Sequence, residues 1–209
     1  MTKTTTAAKA VLCAALLASL QGCFPLVVGG VAMGAVATAD RRTLGAQTED
    51  KSITVKAEVK LQNLGGDNGH INIASFNRKV LITGEVPDQR TKETAEREVR
   101  AIEGVQNVYN ELVISGPASY TSRSSDALVT TKVKASLVEM KTISASSFKV
   151  VTENGTVYLM GRVTQREGDV ATDVTKSVAG VQKVVKMFEY ISEEELRAIT
   201  PQAMQSTQL

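Results

Sequence analysis

Few side chains in this chain have the type and spacing that catalysis or metal binding requires. His70 is the single histidine, so a metal site built from several histidines is excluded. The run from Asp67 to His70 could hold a metal ion weakly, but a solvated turn between a helix and a strand is the better interpretation. Two glycine pairs, at 29–30 and 65–66, lack the lysine that follows a phosphate-binding loop. The sequence therefore predicts a protein that is not an enzyme and needs neither cofactor nor metal.

Cys23 is the residue whose context predicts a chemical modification. It ends the run Leu20-Gln21-Gly22-Cys23, which follows a basic N-terminus and an apolar stretch too short to span a bilayer. This order is typical of a bacterial lipobox, in which a peptidase cleaves before the cysteine and its thiol is acylated. Residues 1–22 are then a signal peptide. An ordinary secretory signal, or a signal-anchor helix through residues 24–31, is the alternative, but Pro25 and nearby glycines disfavour that helix.

The residue that follows the cysteine, Phe24, bears on where the protein is sent. An aspartate there commonly retains a lipoprotein in the inner membrane, so its absence predicts delivery to the outer membrane with the folded part in the periplasm. A bacterial lipoprotein typically carries several acyl chains, and several chains anchor a protein firmly. Membrane attachment would then not depend on the folded part.

The composition argues against nucleic-acid binding and against the stacking of bases or sugars on aromatic side chains. The chain has 24 Lys and Arg against 22 Asp and Glu, and removal of the two signal-peptide lysines leaves it near neutrality. A nucleic-acid-binding protein is expected to be more basic than this. There is no tryptophan, and aromatic residues are 4% of the chain, which disfavours stacking platforms for bases or sugars.

The chain contains a tandem repeat with an offset of about 77 residues. Three blocks recur in the same order, which makes chance similarity a poor explanation. The matched blocks are Val80–Val86 with Val157–Val163, Gly104–Val108 with Gly180–Val184, and Val55-Lys56-Ala57 with Val133-Lys134-Ala135.

Each repeat has the pattern helix, strand, strand, helix, strand. This order predicts an α+β fold in which two helices pack on a three-stranded mixed sheet. Asn154-Gly155 between two alternating runs predicts a tight hairpin, because both turn residues need positive φ. The matching turn at Asn77-Arg78 lacks the glycine, so we expect a looser hairpin there.

The strand pattern V-x-L-x-G-x-V and the later G-V-x-x-V resemble the BON domain, which occurs in bacterial envelope and osmotic-stress proteins. The resemblance is most specific at Thr130–Val133, Val151–Gly155 and Val163–Glu167. A lipobox followed by two such units is similar to outer-membrane lipoproteins with two BON domains. The predicted segments are a signal peptide (1–22), a lipidated N-terminus and tether (23–48), a first BON domain (49–115), a linker (116–124), a second BON domain (125–192), and a tail with a short helix and a disordered end (193–209).

The resemblance implies a function that composition and spacing do not supply. It implies binding of anionic phospholipid, phosphatidylglycerol or cardiolipin, through the first helix of the second BON domain. It also implies enrichment at the division septum and support of outer-membrane integrity.

The residues themselves add to the lipid hypothesis. The second unit has ten basic and seven acidic residues between 123 and 192, whereas the first has nine and ten between 50 and 114. Each lysine or arginine near an anionic surface contributes roughly 1 kcal/mol. A helix over 126–140 would place Val129, Val133, Leu137 and Met140 on its core side.

The outer side of the same helix combines apolar and basic residues. The candidate phospholipid-binding residues are Leu128, Lys132, Lys134, Val138, Arg123 and Lys141. An exposed leucine beside a lysine suits insertion into a headgroup layer, while a solvated helix with one stray apolar residue is the alternative. In well-known members of the family that the sequence resembles, the position of Leu128 is Trp, so we expect weaker interfacial anchoring or more reliance on the basic residues.

A second hypothesis is a protein-interaction adaptor. Sheet edges, or the first unit as a whole, could dock an envelope partner such as the barrel-assembly machinery or a regulator of septal wall hydrolases. The two hypotheses are compatible, since each unit could serve one of them.

Overall fold

The computed structural model describes residues 40–66, 69–116 and 118–199. Cys23, the signal peptide and most of the predicted tether therefore lie outside the described residues. So do Asp67 and Asn68 of the polar turn and the predicted disordered end of the tail.

Both repeats have the predicted order of elements. The first contains α1 (Leu44–Leu61), β1 (His70–Phe76), β2 (Lys79–Val86), α2 (Gln89–Arg100), β3 (Asn107–Asn110) and β4 (Val113–Ile114). The second contains α3 (Tyr120–Glu139), a 3-10 turn (Ala145–Ser147), β5 (Phe148–Glu153), β6 (Thr156–Val163), α4 (Gln165–Ser177) and β7 (Lys183–Tyr190). A short helix, α5 (Glu193–Ile199), follows. The predicted α+β class and the tandem arrangement are confirmed.

The sheets are mixed, as predicted. In the first unit β2 lies between antiparallel β1 and parallel β3, and in the second β6 lies between antiparallel β5 and parallel β7. The last strand of the first unit is interrupted between β3 and β4. At the break the Asn110 side chain donates to the Lys92 carbonyl and accepts from the Leu112 N–H, a pattern typical of an asparagine that holds a turn.

The first helix of each unit begins earlier than the sequence predicted. Thr43 caps α1 by accepting from the Ala46 N–H, and Ser119 caps α3 by accepting from the Ser122 N–H. Such hydroxyl caps satisfy the free N–H groups of a helix end. As a result α1 takes up the end of the predicted tether (23–48), and α3 takes up the end of the predicted linker (116–124).

Asp50 and Asp126 hold the hairpin turn of their own unit. The Asp50 carboxylate accepts from the two N–H groups of turn 77–78 at 2.6 and 2.8 Å. The Asp126 carboxylate accepts from those of turn 154–155, both at 2.9 Å. All four turn residues have φ between +48° and +70°. The expectation of a looser first hairpin is therefore wrong, because Asp50 stabilises at Arg78 a conformation that usually requires glycine.

The buried residues of the two first helices correct the register of the repeat. α1 buries Ile53, Ala57 and Leu61, and α3 buries Val129, Val133 and Leu137. Ala57 thus corresponds to Val133, whereas the sequence comparison had matched Val133 with Val55. Val55 is in fact 58% exposed, so that block was misaligned by two residues.

The two sheets pack face to face. Alternate residues of β2 point to opposite sides, so Val80 and Ile82 enter the core of their own unit while Leu81 contacts the other sheet. The cluster between the sheets contains Ala74, Phe76, Leu81, Tyr158, Met160 and Met187. The helices therefore form the two outer layers, and α1 and α3 lie on opposite faces of a four-layer sandwich.

Polar contacts at the margins of this cluster fix how the sheets are aligned. Asn72 of β1 donates to Glu153 of β5 at 2.7 Å, and Lys149 of β5 donates to the Ser75 carbonyl of β1 at 3.0 Å. β1 and β5 therefore run antiparallel along the same side of the sandwich. We call this side the seam.

Candidate lipid-binding surface

α3 presents two rows of exposed side chains. Leu128, which is 63% exposed, and Lys132 stand one turn apart and form the Leu128 row. Lys134 and Val138, which is 70% exposed, form the Val138 row. Successive residues of a helix are 100° apart, and this places the exposed residues Thr131 and Ala135 between the two rows. Each row thus pairs one apolar side chain with one lysine.

The Val138 row lies toward the seam. The pKa of Lys149 on β5 is lowered, first by burial and then by the nearby positive charges of Arg42 and Lys134. The hydroxyl of Thr130, one turn before Lys134, also bonds that of Thr152 in β5 at 2.7 Å, so this row lies on the β5 side of α3. This places positive charge from α3 where the two units meet.

The two remaining predicted residues stand at opposite ends of α3. Arg123 lies in the first turn, is half-buried and already takes part in an interaction. Lys141 follows the last turn and is exposed. Because a 20-residue helix is about 30 Å long, the structure does not bring these two residues together.

Residues 40–42, predicted as tether, bind both units, and we call them the strap. Arg41 donates to the carboxylate of Glu167 in α4 at 2.6 and 2.7 Å, and to the Arg162 carbonyl at 3.1 Å. Arg42 donates to Asp50 of α1 at 2.7 Å and lies over the Phe76 ring at 4.3 Å from its centroid. The strap therefore joins the first unit to the second.

The acidic partners of the strap are ionised and buried. Burial by itself raises the pKa of Glu167, but hydrogen bonds from Arg41 and the Thr164 N–H lower it below its usual value. Burial likewise acts to raise the pKa of Asp50, and bonds from Ser75, the 77–78 turn and Arg42 lower it overall. The sequence did not predict this role, because the partner Glu167 is 126 residues from Arg41.

Catalytic geometry is not evident in the described residues. Across residues 40–66, 69–116 and 118–199, no group of three or more His, Cys, Asp and Glu could hold a metal ion. An open depression along α2 is lined by opposite charges, of which Glu96 and Arg100 pair at 2.6 Å. Within the same ranges, none of the helices combines the length and hydropathy needed to cross a bilayer.

The fold, the repeat and the sequence together define the class of this protein. Residues 50–116 and 125–192 each match the BON domain, so the chain belongs to the BON family and carries two copies of the domain.

The relatives narrow the class further. Outer membrane lipoprotein DolP of Haemophilus influenzae is 38% identical over 174 residues, covering 82% of this chain and 90% of that protein. The chain is thus a DolP-like outer-membrane lipoprotein with two BON domains, as the sequence predicted. The 21 kDa hemolysin of Actinobacillus pleuropneumoniae is 31% identical over 73% of this chain and 79% of its own length. Osmotically-inducible protein Y of Escherichia coli K12 is 29% identical over 65% and 70%.

Proposed function

We propose that this lipoprotein is anchored through Cys23 at the periplasmic face of the outer membrane and binds anionic phospholipid through α3. The ligand is phosphatidylglycerol or cardiolipin, and the protein supports outer-membrane integrity at the division septum without catalysing a reaction. One observation carries the proposal: Leu128 and Val138 are exposed on the same helix, and each stands one turn from a lysine.

The chemistry of the two rows suits a headgroup layer. The apolar tip enters the layer and the ammonium group meets phosphate. Burial of one leucine or valine side chain contributes about 1.5–3 kcal/mol, and each lysine contributes roughly 1 kcal/mol. This affinity is weak, but it is enough to bias position along a membrane that already holds the protein by its acyl chains.

Leucine at position 128 makes the proposed contact depend on charge. A tryptophan offers an apolar ring and an N–H that can bond to headgroups, whereas leucine offers the apolar part alone. Salt should therefore weaken lipid binding strongly, since Lys132, Lys134 and Lys141 are exposed to screening.

The test uses the mature chain with Cys23→Ser, so that binding does not depend on acylation. Its sedimentation with phosphatidylglycerol vesicles should exceed that with phosphatidylcholine vesicles and should fall at high salt. Leu128→Asp and Val138→Asp should each reduce binding, while Val59→Asp, at a 60% exposed position of α1, should not. Binding that ignores both salt and Leu128→Asp contradicts the proposal.

The adaptor function is the second candidate. It is favoured by a different observation, the exposed valines of α1, which lie on the face opposite α3. Partners such as the barrel-assembly machinery or a septal hydrolase regulator would then be reached through the first unit.

A further inference from the structure

The strap determines where the chain from Cys23 reaches the folded part. Arg41 comes directly before the first unit, yet its guanidinium is held by Glu167 in the first turn of α4. That turn also bonds the loop after α3, because Arg166 donates to the Thr142 carbonyl at 2.9 Å. The strap thus meets the second unit at the C-terminal end of α3.

A second series of contacts places the strap on the side of the Val138 row. Arg42 and Ser75 both donate to the Asp50 carboxylate at 2.7 Å. The Ser75 carbonyl in turn accepts from Lys149 of β5 at 3.0 Å. The Val138 row lies on the β5 side of α3. The strap therefore runs along the seam on the same side as this row.

The entry point of the chain makes the two ends of α3 unequal. Leu128 and Val138 are about 15 Å apart along the helix, and the strap lies at the Val138 end. A flexible chain of about 17 residues, the length of 23–39, typically spans only about 23 Å. The effective concentration of a tethered group falls with its distance from the tether. An anchor at Cys23 therefore favours contact of the bilayer with the Val138 end.

The charges at this end of α3 do not by themselves favour it. Lys134 and Lys141 are accompanied by the exposed Glu139. The acidic first turn of α5 is also near, since its Glu193 pairs with Arg166 at 3.7 Å. The preference comes from the entry point of the chain, so it should persist in a neutral bilayer.

We propose that the strap positions the acyl-anchored protein so that the Val138 row makes the main contact with phospholipid headgroups and the Leu128 row a lesser one. The proposal rests on the proposed function, since it takes Cys23 as the acylated residue. Arg41 is then a positioning residue. It acts through Glu167 on where the chain enters, and it does not touch lipid.

The experiment couples the mature protein through Cys23 to a maleimide lipid in nanodiscs of phosphatidylcholine, and then in nanodiscs that also contain phosphatidylglycerol. A spin-labelled headgroup in the disc broadens the methyl resonances of residues close to the bilayer. Because Val138 and Leu128 are about 15 Å apart along α3, the broadening should be at least about two-fold greater at Val138. Val55 and Val59, on the opposite outer layer, serve as the distant reference.

Two variants loosen the entry point by different means. A flexible insertion between residues 39 and 40 lengthens the tether and leaves the strap and the fold intact. It should bring the broadening of Val138 and Leu128 close to equality, because effective concentration falls as a linker lengthens. Arg41→Ala with Glu167→Gln removes the ion pair without leaving a buried charge unpaired. It should reduce the difference in part, since Arg42 still holds the chain.

The matched control removes an ion pair at a distance from the strap. Arg100→Ala with Glu96→Gln abolishes a pair on α2, with a distance of 2.6 Å, and leaves the net charge unchanged, as the Arg41 double variant does. Its broadening pattern should be that of the parent protein. A control that loses the pattern overturns the assignment to the strap.

Sedimentation of the unanchored Cys23→Ser protein separates this proposal from the lipid proposal. There the Arg41 double variant should bind phosphatidylglycerol vesicles like the parent. If the unanchored parent does not bind them, the lipid proposal fails, while broadening in phosphatidylcholine discs still tests the strap. The strap proposal is overturned if Leu128 is broadened as much as Val138 in the anchored parent, or if either variant leaves the difference unchanged. It is also overturned if the Arg41 double variant loses lipid binding without the anchor.

Discussion

The guanidinium of Arg41 donates to both carboxylate oxygens of Glu167, at 2.6 and 2.7 Å. Arg41 lies just before the first helix of the first BON unit, and Glu167 lies in the first turn of the second helix of the second unit. Glu167 is 2% exposed and also closes the capping box of α4 with Thr164. This pair therefore joins the point where the chain enters the folded part to the core of the distant unit.

Arg41→Ala should lower the free energy of unfolding by about 3 kcal/mol, because it leaves a buried carboxylate without its cation. Urea unfolding followed by far-ultraviolet circular dichroism measures the change, since the chain has no tryptophan to report it. Adding Glu167→Gln to Arg41→Ala should recover part of the loss. If Arg41→Ala alone is as stable as the parent protein, the ion pair between Arg41 and Glu167 does not stabilise the fold.

Asp50 and Asp126, which bind the hairpin turns, should contribute unequally to the free energy of unfolding. Asp50→Ala should cost about 4 kcal/mol, because Asp50 is bound by Ser75 and Arg42 as well as by its turn. Asp126→Ala should cost about 2 kcal/mol, the scale of hydrogen bonds to one charged group. Thermal and urea unfolding of both variants compare them directly. If both variants lose the same free energy of unfolding, the bond from Arg42 of the strap to Asp50 adds no stability.

Glu153 should make the fold less stable as pH rises. Its pKa is raised, mainly by burial between the sheets and also by the charge of Glu85, while the Asn72 hydrogen bond opposes the shift. A raised pKa in the folded state means that the protonated form is preferred there. The associated stability is present below the ordinary carboxyl pKa and is lost as pH rises through the folded value.

The measurement is the free energy of unfolding from strongly acidic to mildly alkaline pH, which spans the ordinary carboxyl pKa. Glu153→Gln should gain stability relative to the parent as pH rises, because the neutral amide does not ionise. Glu167→Gln serves as the opposite control. The pKa of Glu167 is lowered, so the parent keeps that contribution above the ordinary carboxyl pKa and loses it as pH falls. Parallel curves for Glu153→Gln and the parent would contradict the assignment.

Gly84 should tolerate no side chain. Its φ is +114°, and a Cβ there would lie 2.0 Å from the His70 carbonyl oxygen, which is backbone and cannot move away. Gly84→Ala should cost about 3 kcal/mol or more. Gly66→Ala is the control, since φ is +55° there but open space surrounds the site, and it should cost about 1 kcal/mol. Similar melting temperatures for the two variants would refute this explanation.

Much of the fold could be predicted from local patterns. The alternation of Val80–Val86, its recurrence at Val157–Val163 and the Asn-Gly turn specify strands and a hairpin, because side-chain period and turn conformation are local properties. The stripe of Val129, Val133 and Leu137 likewise specified the buried side of α3, and with it the exposure of Leu128.

The sequence by itself determined the duplication, the α+β class and the family, and it predicts a lipobox at Cys23. Only the tertiary structure decided the register of the helices, the strength of the first hairpin and the role of Arg41 and Arg42. The reason is that each depends on groups distant in sequence. Asp50 acts on a turn 27 residues away, and Arg41 acts on a carboxylate 126 residues away. The face-to-face packing of the sheets likewise placed α1 and α3 in opposite outer layers. Local patterns could not predict this, because it depends on contacts between the two units.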